Sequence, residues 1–486
     1  MAAAVQTFDL TVTSSGKAVR LRLTTTALFV SRQDKREAEV PVRQVIGAYH
    51  ASNTLELYYL ARKSAKSQLA LSKIEGTADE AQTKAWCEAM MDIAYQGVKP
   101  YRRLKVLINP FGGKGRAGAL YNKVVEPIFR AAKCPMDATY TTHSKHAVEI
   151  ASTLDFVYDA LVVVSGDGLM HEVMNGFAQH PQSARAFELP VALVPGGSAN
   201  ATSLNILGTK DGVDCAAAAL NAIKGKPMKV DLFLLTQGGK TTISTMTQAL
   251  GIMADCDLGT ESWRWMGEAR FVLGFLRGLV AFKTCPLVVQ IKVAEQDKAR
   301  MVQALESSKA SSPAGPQGQG QLQSPTSPSC DAGSACKAAA EGSLPDLAQP
   351  VDQMDGWLTF DKPAVYLYAG KGPFVARDLM QFPVSVPDDG YVDIVVQERR
   401  TRLEMISGIE GAASGAQFWL ESKHYFKATA YRVKCLETRG YFAVDGESYP
   451  FTDFQVEVLK GLGTLLSPYG HYAEDLSRSK RMTKGL

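Results

Sequence analysis

One short stretch limits the fold more than any other: residues 165–176, SGDGLMHEVMNG, directly after the apolar run 160–164, ALVVV. The run is rich in β-branched residues and of strand length, the signature of a strand buried on both faces of a parallel sheet. Gly166 and Gly168 flank Asp167. Glycine permits a sharp turn and lets a phosphate come close to the backbone. Leu169, Val173 and Phe177 then recur at helical spacing, so a helix begins straight after the turn. A carboxylate is thereby expected at the C-terminal end of a buried strand, where open α/β sheets take their ligands. A lone Gly-Asp-Gly reads equally well as a tight turn with a solvated acid, so its surroundings have to decide.

Those surroundings repeat the unit. Strands at 104–108, 137–141, 160–164 and 189–194 alternate with helices at 121–132 and 147–154 and after each later strand, the pattern of a parallel sheet with covering helices. Three strand ends carry glycine-rich loops: NPFGGKG at 109–115, SGDG at 165–168 and PGGSANA at 195–201. Backbone N–H groups in such loops, and the helix N-termini behind them, suit phosphate oxygens. Lys114 and Arg116 add positive charge at the first loop. Residues 113–118 match G-x-G-x-x-G, but the second strand ends in Thr141, Thr142 and His143, without the acid a dinucleotide ribose requires. The loop lacks G-K-[ST], which excludes a Walker A site. His171 and Glu172 follow the acidic turn and read first as helix-start and packing residues; His146 reads as a cap.

The rest of the chain falls into further units. Residues 1–98 alternate in strand fashion and close with a helix at 78–95 bearing Trp86. This small β-rich domain is similar in pattern to a pleckstrin-homology-like fold, and is either a docking module or a structural cap. Residues 101–227 form the α/β nucleotide-binding domain. From 228 to 470 antiparallel strands dominate, with one long helix at about 262–282. Residues 306–349, rich in Ser, Pro, Gly, Gln and Ala, are expected to be a disordered insert within that second domain. Residues 471–486 form a tail. A net charge of +4 over 486 residues argues against nucleic acid as a partner. The start has no secretory pattern, and no stretch reaches about 18 apolar residues free of charge. Eight scattered cysteines lack any C-x-x-C pair, so neither a metal centre nor a disulfide framework is expected, and a reducing, cytoplasmic setting is the default.

The three loops in this order resemble the catalytic domain of the diacylglycerol and sphingosine (long-chain-base) kinases. SGDGLMHEVMNG, the later ADCDLGTESWRWMGEARFVLG at 254–274 and FAVDGE at 442–447 are similar to the long-chain-base kinases in particular. The resemblance covers about 101–293 and 354–470, and implies a nucleotide domain followed by a β-sandwich-like lipid domain. It implies ATP with Mg²⁺, a sphingoid-base substrate and a peripheral membrane surface. It makes Asp167 the general base. It places Asn109, Pro110, Phe111, Gly112, Gly113, Lys114, Gly115, Thr141, Gly166, Gly168, Gly197, Ser198 and Ala199 around the nucleotide. Arg264, Arg270, Asp445, Gly446 and Glu447 join them from the second domain. Ser165, Asp167, Gly168 and Asp257 meet the lipid, with Asp257 on its amino and hydroxyl head. Two positions depart from the family pattern: Ala199 stands for a glycine in the third loop, and DLGTE at 257–261 lacks the middle acid. A ceramide or diacylglycerol kinase, and a catalytically silent lipid-sensing adaptor, are the alternatives.

Overall fold

In the computed structural model, the described residues are 7–32, 36–112, 115–197, 200–260, 262–263, 269–281, 283–311, 344–351, 356–407 and 411–476. Gly113, Lys114, Ser198, Ala199 and Arg264, and most of the insert, lie outside them.

The N-terminal unit is a seven-stranded antiparallel sheet running from Phe8–Ser14 to Leu69–Thr77, closed by helix Glu80–Ala94. Alternate residues point inward, as a half-buried strand requires; Leu55 and Leu57 are buried while Glu56 between them is not. Asp79 caps the helix by accepting from Gln82 N at 2.9 Å. Trp86 is buried and donates its indole N–H to Phe8 O at 3.2 Å. The unit packs tightly on its neighbour. Lys224 Nζ donates to Val45 O and to Ala94 O, and Tyr49 OH donates to Ala131 O.

The α/β unit has four parallel strands in the order Met136–Tyr140, Leu104–Ile108, Ala160–Ser165, Val191–Pro195. The register pairs Val164 with Ile108 and Ser165 with Pro195, so all the strands end at the same level. Every residue of Ala160–Ser165 is buried, which accounts for the unbroken apolar run.

Beyond this sheet the hydrogen bonding continues without a break. The 14-residue strand Phe454–Ser467 touches Val191 through Leu465 and pairs along its length with Lys226–Gln237. It therefore completes the first sheet as well as belonging to the 228–470 region. Strand Lys226–Gln237 likewise divides its side chains by parity. Leu232 and Leu234 enter the core shared with the α/β unit, while Phe233 and Leu235 enter the second core. Two long strands thus hold the two halves in one orientation, with a cleft between them.

The stretch expected to be disordered from 306 is ordered at both margins. Helix Lys298–Ser311 continues through 306 because Met301, Val302 and Leu305 are buried and Lys309 pairs with the buried carboxylate of Asp475. At the other end Arg432 donates to Pro345 O and Gln349 O. The long helix expected at 262–282 is described over Ala269–Ala281, with Trp263 in a turn before it. No helix among the described residues is long and apolar enough to cross a membrane.

Candidate active site

The common strand level brings the three glycine-rich loops together. Asn109 N donates to Val164 O, and Gly196 N donates to Ser165 O at 2.9 Å. Gly166 and Gly197 meet backbone to backbone: a Cβ on Gly197 would lie 2.3 Å from Gly166 Cα, so this contact excludes a side chain. The second and third loops are held side by side in consequence, with Gly197 N donating to Asn200 Oδ1 at 2.9 Å.

Asp167 opens helix Asp167–Gln179. Its oxygens accept from Ala201 N at 2.8 Å and Thr202 N at 3.0 Å, the first turn of the helix behind the third loop. Two backbone amides and a helix N-terminus therefore orient this carboxylate. Burial pushes its pKa above the ordinary carboxylate value; the Thr202 and Ala201 hydrogen bonds pull it down and the charge of Asp445 adds to the rise. A carboxylate shifted upward is a better proton acceptor at neutral pH.

Asn109, Gly112, Ser165, Gly166, Asp167, Gly168 and Gly197 share a cavity of about 420 Å³ with Asp257, Arg270, Asp445, Gly446 and Glu447 of the second half. Met253, Phe275, Tyr366, Tyr368, Met405 and Leu420 form an apolar arm of its lining, which also takes in Asp378, Arg400, Glu404 and Lys423. Pro110, Phe111, Gly115 and Thr141 do not line it. Thr141 is buried and bonded to Ile108 O, whereas Phe111 is exposed at the rim.

Two residues that the resemblance places at the nucleotide line the cavity and also make contacts within the protein. Asp445, expected at the nucleotide, has a fully buried side chain whose oxygens accept six protein hydrogen bonds. The donors are His171 Nδ1, Ser244 Oγ, Thr245 N and Oγ1, Met246 N and Thr247 N. Its carboxylate is turned inward by those donors and holds the cleft together. Burial works to raise its pKa, but His171 and the surrounding amides hold it below the usual range. Asp445 and Gly446 both have positive φ, +52° and +84°, the requirement of a tight Asp-Gly hairpin turn. That turn brings Glu447 against Gly168, where a Cβ would lie 3.1 Å from Glu447 Oε1.

Arg270, expected at the phosphates, is the second. Its buried guanidinium donates to Asp257 O at 3.2 Å and Thr260 O at 3.4 Å, and faces Asp257 Oδ1 at 3.4 Å. A buried cation takes the nearest acceptors, and these belong to the turn after helix Ile252–Asp257. Asp257 keeps about a third of its side chain exposed and still lines the cavity.

The sequence reading also passed over residues that shape the site. Ala201 and Thr202 matter through their amides, which leave no side-chain signal. His171 reads in sequence as a packing residue, because its partner Asp445 lies far along the chain.

Residues 103–235 match the diacylglycerol kinase catalytic domain. Over 424 residues the chain is 34% identical to sphingoid long chain base kinase 4 of Schizosaccharomyces pombe, covering 86% of this chain and 85% of that one. It is 28% identical over 439 residues to sphingoid long chain base kinase 5 of Saccharomyces cerevisiae, covering 80% of this chain and 62% of that one. A crystal structure of a diacylglycerol kinase from Bacillus anthracis is similar at 16% identity and a TM-score of 0.44, over 76% of this chain and 98% of that one.

Proposed function

This chain belongs to the sphingoid long-chain-base kinase family, and from that membership we propose that it transfers the γ-phosphoryl group of ATP to the primary hydroxyl of a sphingoid base. The observation that carries the reading is the placement of Asp167. It is a carboxylate of raised pKa, oriented by two helix amides, in a cavity that also contains Asp257 and an apolar arm.

In this reading the nucleotide phosphates lie against the loops at Asn109, Gly112, Gly166 and Gly197. The base enters with its chain along Phe275, Tyr366 and Tyr368. Its ammonium group meets Asp257, sharing that carboxylate with Arg270. The primary hydroxyl donates its proton to Asp167 as its oxygen bonds to the γ-phosphorus and the bond to the ADP oxygen breaks. Asp167 then passes the proton to water. Mg²⁺ carried with ATP would neutralise the developing phosphate charge. Glu447, exposed at the Gly168 turn, is the acid placed to hold it, since the Asp445 carboxylate is enclosed.

Asp257 favours a sphingoid base over ceramide or diacylglycerol, neither of which has an amine to pair with a partly buried carboxylate. We read the second half as a β-sandwich-like lipid domain, and the N-terminal sheet with its closing helix as a pleckstrin-homology-like module. We place the enzyme at the cytoplasmic face of a membrane, as a peripheral protein. Radiolabelled ATP offered with sphinganine, ceramide and diacylglycerol tests the reading. Label in sphinganine alone supports it. Label in ceramide or diacylglycerol alone, or in none of the three, overturns it.

A further inference from the structure

Val280 and Leu403 are the two most exposed large apolar side chains among the described residues, at 77% and 79%. They are far apart in sequence but belong to helices that meet. Arg402 donates from Nε to Leu279 O at 3.1 Å and from Nη2 to Val280 O at 3.2 Å, so helix Arg402–Ser407 begins against the end of helix Ala269–Ala281. Neither exposure is isolated. Leu273, Leu276 and Val280 recur at the three- and four-residue spacing of one helix face, and all three are exposed. Leu403 and Ile406 repeat this on the short helix. The other face of the long helix is packed: Leu279 is buried, and a Cβ on Gly278 would collide with Ile252.

A contiguous exposed apolar surface marks an interaction site, and two observations name the partner. First, the same helices wall the proposed lipid site. Arg270 and Phe275 of the long helix line the cavity, as do Glu404 and Met405 of the short one. Glu404 is itself exposed, so the rim of the cavity runs along the short helix. Second, the charge is one-sided. Residues 270–283 and 399–407 expose Arg277, Lys283, Arg399, Arg400 and Arg402 against a single acid, Glu404. Basic residues beside an apolar helix face suit anionic headgroups above acyl chains. A second copy of this face would set like charges against each other.

We infer that the exposed faces of helices 269–281 and 402–407 seat the rim of the cavity on an anionic bilayer, with Val280, Leu403 and Ile406 among the acyl chains and the arginines at the headgroup phosphates; this rests on the function proposed above. A sphingoid base dissolved in that leaflet enters along the short helix, and its chain passes from one apolar medium to another without exposure to water.

The test uses the full-length protein, Val280→Glu, Leu403→Glu and the double variant. Val157→Glu is the control, at an exposed valine just before strand Ala160–Ser165 and so at the end of the sheet away from the cleft. None of these three positions lines the cavity. Sedimentation with phosphatidylcholine vesicles containing about one-third phosphatidylserine measures binding. Sphinganine is supplied either in those vesicles or on albumin. The unmodified protein and the control should bind the vesicles, and bind them less at high salt. Val280→Glu and Leu403→Glu should each bind about tenfold more weakly. Turnover of vesicle-borne sphinganine should fall in step, while turnover from albumin stays within about twofold. Melting temperatures should match, because the substituted positions are exposed. No vesicle binding by the unmodified protein overturns the inference. So does a dimer that both substitutions dissolve while vesicle binding is unchanged, the result expected if the face pairs two copies. No turnover from albumin by the unmodified protein overturns the kinase reading and this inference with it, whereas turnover from albumin with vesicle binding indifferent to both substitutions overturns the inference alone.

Discussion

His171 Nδ1 lies 2.7 Å from Asp445 Oδ2, tying the helix that begins at Asp167 to a hairpin 274 residues later in the chain. Burial opposes the charge on His171, but the hydrogen bond and charge of Asp445 raise its pKa above the ordinary 6.5. A raised histidine contributes stability that is whole below the unfolded value and fades as pH climbs through the folded one. Asp445→Asn should cost about 3–5 kcal/mol, the range for breaking a buried pair by removing one partner. Its urea midpoint should also vary less with pH above 6.5 than that of the unmodified protein. Denaturation curves at several pH values check both, and a midpoint difference independent of pH would show that the charge on His171 is unimportant.

Asp167→Asn bears on chemistry and on folding together. Turnover should fall by about 10²-fold or more. The new amide nitrogen would face one of the Ala201 and Thr202 N–H groups, a donor against a donor, so stability should fall by about 1–3 kcal/mol. Turnover corrected for the folded fraction, measured beside a melting curve, separates the effects. Near-normal corrected turnover would remove Asp167 from the mechanism.

For Asp257 the expected change is in lipid affinity. Asp257→Asn keeps shape and loses charge, so KM for sphinganine should rise about tenfold, as expected for a charged hydrogen bond worth roughly 1.5–3 kcal/mol. KM for ATP should stay within about twofold, because the glycine loops lie elsewhere in the cavity. A fall in melting temperature with an unchanged lipid KM would instead mean that Asp257 serves Arg270 and the turn.

Lys224 sits at the junction with the N-terminal unit, donating to Val45 O and Ala94 O. Burial, with a smaller push from Arg43, lowers its pKa from 10.5 to about 7. The unfolded chain keeps this proton up to 10.5 and the folded one loses it near 7, so stability should rise with pH between these values. The slope is at most about 1.4 kcal/mol per pH unit. Lys224→Met should be less stable, with two carbonyls left unpaired, and should lack this slope. Stability measured from pH 7 to 9 for both proteins provides the comparison.

Deleting 312–343 should leave melting temperature and turnover within error. Deleting 306–349 should not. It removes Lys309 from the buried Asp475 and removes the Pro345 and Gln349 carbonyls that Arg432 bonds. The longer deletion should lower stability by about 1–3 kcal/mol. Equal melting temperatures for the two deletions would mean that these margins contribute nothing.

Local order in the sequence was enough to locate strand Ala160–Ser165 and the Asp167 turn. ALVVV followed by Gly-Asp-Gly and helical spacing places Asp167 at a strand end, since strand burial, turn chemistry and helix periodicity are each written within about a dozen residues. The same locality made the three glycine loops legible as one phosphate-suited set, and the homologous blocks at 254–274 and 442–447 carried the family. Side-chain partners were decided elsewhere. Nothing near Asp445 foretells that six donors from two separate segments close around it, nor that Arg270 turns to Asp257. The extent of the insert was misjudged for the same reason: 306–311 has a polar, disorder-like composition, yet the buried residues before it and the Asp475 carboxylate keep it helical. Composition and periodicity report what a segment can do alone, whereas hydrogen-bond partners and pKa shifts depend on which distant groups the packed chain brings within about 3 Å.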